Sequence, residues 1–114
     1  MDKIVEKFKA LGDNTRFKIF IILSEYSTCV RGLARKLEVS ESAVSQHLKI
    51  LRNAGLVYGE KMGHFTHYRV NTDILSGLQE IINSMASEEP ELESIKAQIG
   101  LDDEKHSEGC KETD

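Results

Sequence analysis

LARKLEVSESAVSQHLKILRNAGLV, residues 33–57, decides the fold. Leu33, Ala34 and Leu37, with Val30 just before them, fall at helical spacing and give one amphipathic helix over 30–37. Glu38-Val39-Ser40 breaks it. Ser40 or Ser42 can cap a second helix running to Asn53, and Gly55 closes it. At about 100° per residue, Lys49 and Asn53 lie within about 20° of Ser42 on this second helix, and Ser45 and Gln46 within about 60°. Val44, Leu48 and Leu51 lie about 180–240° round. One face is therefore an aliphatic seam. The other is a narrow stripe of short hydrogen-bonding side chains with one cation and no carboxylate, since Glu41 falls off it.

Two helices joined by a three-residue break make a helix-turn-helix. A helix that enters a major groove must approach base edges closely, which asks for small residues such as Ser42, Ala43 and Ser45 near its N-terminus. Gln46 can bond adenine bidentately, and Lys49 and Arg52 can meet guanine or phosphate. An ordinary solvated helix face is polar too, but it mixes Glu with Lys.

Outward from this pair, Ile4, Val5, Phe8 and Leu11 give a short amphipathic helix over 3–11, stopped by Gly12. Asp13 or Asn14 can cap the next helix, through FKIFIILSEY. It is apolar nearly all round, so it is expected to be the buried centre of the core. Ser27 or Thr28 can cap the helix at 30–37. After residue 57 the period changes to two: LVYGEKMGHFTHYRVN reads as two strands about a Gly63 turn, with Tyr68 and Val70 facing the core. Lys61, His64, His67 and Arg69 are then expected to line a strip that meets the DNA backbone. His64 and His67, three apart on a strand, point to opposite faces and do not chelate together easily. Asn71 or Thr72 can cap a further helix in which Ile74, Leu78, Ile81 and Met85 form a coiled-coil-like seam. The organisation expected is a winged-helix and dimerisation domain over 1–86, a short helix over 87–99 opened by Pro90, and an acidic flexible tail over 100–114.

The net charge of −4 hides a division. Residues 1–71 carry twelve Lys/Arg against seven Asp/Glu; residues 72–114 carry three against twelve. A basic body can hold phosphate while an acidic third stays clear of it. No apolar run approaches the roughly 20 residues that span a bilayer, and the charged N-terminus has no apolar signal region. A cytoplasmic protein with no membrane partner is expected. P-loop, G-x-S-x-G, H-E-x-x-H and dinucleotide motifs are all missing, which argues against an enzyme.

The residues resemble a known family. LGDNTRFKIFIIL, the segment 33–57 and GEKMGHFTHYRVN are similar to the ArsR/SmtB winged-helix repressors over roughly residues 8–86. The resemblance implies a mainly α fold with a small β-hairpin. It implies a homodimer built from residues 3–11 and 72–86, so that Ile4, Val5, Phe8, Leu11, Ile74, Leu78, Ile81 and Met85 pair two chains. It implies repression by binding double-stranded operator DNA, with Ser42, Ala43, Ser45, Gln46 and Lys49 as contacts, and release by an inducer, often a metal; Ser40, Arg52 and the hairpin's His64, His67 and Arg69 complete the expected DNA-binding set. His47 also matches the motif; lying between stripe and seam, it is expected to pack or bond backbone.

At the metal site the chain departs from the family pattern. One family site is a Cys-x-Cys followed by an acid; here TCVRGLA keeps Cys29 but has Arg31 and Gly32 in the other two places. The other family site needs histidines in the last helix, and residues 72–86 have none. His106 and Cys110 in the tail, with Cys29, remain as donors for a Zn-, Cd- or As-type inducer, where zinc-like sites want four ligands or three plus water. Cys29 and Cys110 are also open to two other readings, a redox pair or plain thiols. The competing readings are a winged-helix protein-interaction module and an inducer-independent regulator.

Overall fold

Among the described residues, apolar positions at intervals of three and four, then a switch to alternation, become five helices and one hairpin. The computed structural model describes residues 2–87 and 97. In chain order the elements are α1 (Asp2–Leu11), α2 (Asn14–Glu25), α3 (Val30–Leu37), α4 (Glu41–Asn53), β1 (Val57–Met62), β2 (Phe65–Val70) and α5 (Thr72–Ser87). The expected helix over 87–99, apart from Ala97, and the tail with His106 and Cys110 lie outside the described residues.

Local chemistry sets the boundaries. Asp13 caps α2, its carboxylate accepting from the Arg16 N–H at 3.0 Å. The Ser40 hydroxyl accepts from the Ala43 N–H at 3.1 Å and starts α4. Glu38 turns the chain between α3 and α4 with a left-handed φ of 59°, a conformation costly for a residue with a Cβ. Gly55, at φ 79°, ends α4 and lets β1 begin two residues later. The Asn71 amide oxygen accepts from the Ile74 N–H at 3.4 Å at the start of α5. The start of α3 differs from expectation: its N-cap is Cys29, which makes no side-chain capping bond. Neither Ser27 nor Thr28 is its cap; the Thr28 carbonyl accepts from the Tyr68 N–H at 2.8 Å and fastens the helix start to β2.

The chain divides into two units, Asp2–Gly77 and a second that begins at Leu78, inside α5. The first unit buries Ala10, Ile19, Phe20, Leu23, Leu33, Ala34, Val44, Leu48, Leu51, Ala54, Leu56 and Val57. Helix α4 is its hub, packing on α1, α2, α3 and β1. Full burial of Val44, Leu48 and Leu51, at about 1.5–3 kcal/mol each, fixes which way α4 turns its other face. The hairpin is antiparallel, with Val57 opposite Val70 and Met62 opposite Phe65. In the second unit, Leu78 and Ser84 are the buried positions of α5, and Ile82 and Met85 are exposed.

Helix α2 corrects the expectation of all-round burial. Ile19, Phe20 and Leu23 are buried, but Phe17 is 48% and Ile21 47% exposed. Its neighbours α1, α4 and β2 leave one side open to solvent. Among the described residues, no helix is long and apolar enough to cross a membrane.

Candidate nucleic-acid interface

The stripe forms as its spacing requires. Ser42, Ser45, Gln46, Lys49, Arg52 and Asn53 are all exposed along α4, and Ala43 is half-buried. Ser40 stands at the head of the stripe with its hydroxyl committed to the cap. The nearest carboxylate, Glu41, is turned to Arg31, whose Nε lies 3.6 Å from it. Both side chains are more than half exposed, so the pair contributes little to stability; its effect is to keep a negative charge occupied beside the stripe.

The face behind the stripe is tied down by a small polar network. Arg16 Nε donates to the Ala10 carbonyl at 2.7 Å, and Arg16 Nη1 donates toward His47 Nδ1 at 3.4 Å. Asp13 is 3.9 Å from the same ring nitrogen, too far for a hydrogen bond, so the Arg16 contact decides how His47 sits. His47 packs and bonds across helices, as its place between stripe and seam suggested, though its partner is a side chain and not backbone. The Arg16 N–H holds the Asp13 carboxyl below its ordinary value, with the Arg16 guanidinium and His47 acting in the same direction against partial desolvation.

The hairpin does not present its four basic residues as one strip. The register puts Lys61 and Thr66 on the face of Tyr68, whereas His67 and Arg69 share the opposite face with Tyr58 and Glu60. Arg69 Nε donates to Glu60 Oε1 at 2.8 Å. His64 lies in the turn before β2, not on a strand. Met62 and Phe65 are exposed at the hairpin tip, where the register pairs them; the alternation in β2 sets Phe65 on one face with His67 and Arg69.

Cys29 is half-buried and carries no disulfide among the described residues. It lines a cleft of about 260 Å³ with Arg31, Glu41, His64 and Phe65, between the starts of α3 and α4 and the hairpin tip. Beside it Gly32 lies so close to Thr28 that a Cβ at position 32 would collide with the threonine hydroxyl. Among the described residues no three His, Cys, Asp or Glu side chains converge to hold an ion. With Arg31 nearby and one thiolate, the described residues alone do not fit a zinc-like site.

The residues proposed for dimer contact are spread between surface and interior. Val5 and Phe8 on α1 and Met85 on α5 are exposed; Ile4, Leu11, Ile74 and Ile81 are half-buried; Leu78 is buried.

A helix-turn-helix whose second helix shows solvent a cationic, acid-free stripe, followed directly by an antiparallel hairpin, defines a winged-helix DNA-binding protein. The family model for "Bacterial regulatory protein, arsR family" matches residues 13–58. The chain is 38% identical over 80 residues to the arsenical resistance operon repressor of Escherichia coli K12, covering 69% of this chain and 68% of that one. It is 36% identical over 78 residues to the cadmium resistance transcriptional regulatory protein CadC homolog of Staphylococcus aureus, covering 68% and 64%. Among solved structures, an ArsR-like transcriptional regulator from Rhodococcus sp. RHA1 superposes with a TM-score of 0.70 at 30% identity, over 90% of this chain and 96% of that one. The chain belongs to the arsR family of bacterial regulatory proteins, and it is a DNA-binding repressor of transcription.

Proposed function

We propose that two copies of this chain pair and lay their α4 helices in successive major grooves of an operator, about 34–36 Å apart, blocking transcription until an inducer releases them. The observation that carries this is the exposed, acid-free stripe of α4. Ser42, Ala43 and Ser45 let the helix approach. Gln46 reads a base edge, Lys49 and Arg52 meet guanine or phosphate, and Ser40 holds the helix start that faces the duplex. His64, His67 and Arg69 lie along the flanking backbone, with Arg69 first giving up Glu60. Pairing uses the exposed apolar residues of α1, Val5 and Phe8, and of α5, Met85 among them.

A gel shift with duplex from the region upstream of the chain's own coding sequence tests it. A specific band that weakens steeply with salt is expected. Gln46→Ala should relax preference at one base position at about 1–3 kcal/mol, whereas Lys49→Ala should weaken all sequences and lower the salt slope by about 1. Equal effects of both changes on matched and mismatched duplexes would rule out these roles.

The inducer is read as a thiol-seeking ion of the Zn(II), Cd(II) or As(III) kind, or an oxidant, acting on Cys29 with His106 and Cys110. Its support is the half-buried Cys29 thiol and the arsenical and cadmium resistance in the names of the two relatives. Titrating the DNA complex with each agent, and repeating with Cys110→Ser, separates the cases. Release by one agent that the variant no longer shows supports the site. Indifference to all of them points to an inducer-independent regulator.

A further inference from the structure

The hairpin turn carries two large apolar side chains that the fold does not use. Met62 and Phe65 face each other across the register and are 46% and 50% exposed. They bracket Gly63, whose φ of 67° closes the turn, at the end of the hairpin farthest from Val57 and Val70. An apolar pair left in water at a strand tip gains by being covered, and its surroundings say by what. Lys61 and His64 are its chain neighbours, and His67 lies next along the same face. Glu60, on the same face, is held by Arg69 at 2.8 Å. The tip thus sets one fixed cation, Lys61, next in the chain to an apolar point whose same-face carboxylate is already paired. It also adjoins the DNA-facing helix: His64 and Phe65 line one cleft with Glu41, the first residue of α4. Strands of six residues give the hairpin roughly 20 Å of reach at about 3.3 Å per residue, enough to pass from a major groove to the minor groove beside it.

We propose that Met62 and Phe65 form a wedge that enters the minor groove flanking the site of α4 and partly unstacks one base step there. This rests on the DNA-binding reading and deepens it. Lys61 meets a phosphate at the edge of the groove, and the apolar point meets base faces, the role that Phe and Met play in minor-groove binders that kink DNA. Because pyrimidine–purine steps unstack most easily, each half-site is expected to carry a TA or CA/TG step at one fixed distance outside the bases read by α4.

The test uses the full chain and the same upstream duplex, with 2-aminopurine replacing single adenines outside the half-sites. Binding should raise fluorescence at one flanking position. M62A/F65A should abolish the rise and weaken binding by about tenfold or more, with the salt slope unchanged. Phe65→Leu should keep the rise; this single change also serves if the double variant melts early. Lys61→Ala should lower the salt slope by about 1 and keep the rise. A specific wild-type complex with no signal at any flanking position overturns the wedge and leaves the DNA reading standing. So does a folded double variant that binds as tightly as wild type. Absence of any specific wild-type complex overturns both.

Discussion

Asp13 uses one carboxylate for two tasks. It caps α2 through the Arg16 N–H, and it stands beside the guanidinium that reaches His47 on α4. Those partners hold its pKa below the ordinary 3.8. A carboxyl whose folded pKa is depressed stabilises the fold above the unfolded value and loses that contribution as pH falls through the folded one. Asp13→Asn, which keeps a capping oxygen but no charge, should therefore melt below wild type at neutral pH. The gap should close as the solution is acidified through and below the usual carboxylate range, and a pH series of thermal melts checks it. The cap was legible in the sequence because Asp just before an apolar helical run is a local signal. The His47 contact was not, since its partner lies 31 residues away and no periodicity encodes that pairing.

At the scale of elements, α4 owes its orientation to the seam behind it. Leu48 is fully buried among residues of several elements. Leu48→Ala should cost about 2–5 kcal/mol in a denaturant melt and weaken DNA binding without touching the stripe. Ser40→Ala, which removes only the cap bond, should cost about 1 kcal/mol in the same assay. Helices α3 and α4 and the break between them were readable because the apolar spacing and the polar stripe agree with each other. Helix α2 was not, for a physical reason: hydrophobic periodicity records what a helix is made of, not which of its sides neighbours cover. Phe17 and Ile21 look like core in the sequence and stand half open in the fold. The hairpin shows a related limit. Alternation placed Tyr68 and Val70 on one face correctly, but which residue of β1 stands opposite which residue of β2 follows from the turn. That register is what separates Lys61 from His67 and Arg69.

For the whole molecule, the exposed apolar residues matter most. Val5 and Phe8 on α1, Phe17 and Ile21 on α2, and Ile82 and Met85 on α5 are large apolar side chains left exposed. Pairing of two chains would cover such residues. Phe8→Glu or Ile82→Glu should then move the protein from dimer to monomer in sedimentation, and wild-type melting should rise with protein concentration where the variants' does not. Binding to a paired site should fall far more than binding to a single half-site. A wild-type chain that sediments as a monomer at micromolar concentration and melts at one temperature throughout would refute the pairing. The overall −4 charge misleads at this scale; the division into a basic body and an acidic last third is the informative quantity, because DNA meets a surface and not an average.

The contact between Gly32 and Thr28 bears on any attempt to retrofit ion sensing. Installing Cys at 31 and Asp at 32 would restore the missing donors on paper. The new side chain at 32 would meet the Thr28 hydroxyl, and Thr28 is the residue whose carbonyl anchors Tyr68. A two-residue graft would thus force the Thr28 hydroxyl out of its place. A third change, Thr28→Ala, clears the space and leaves the anchoring carbonyl in place, so sensing would have to be rebuilt as a triple replacement.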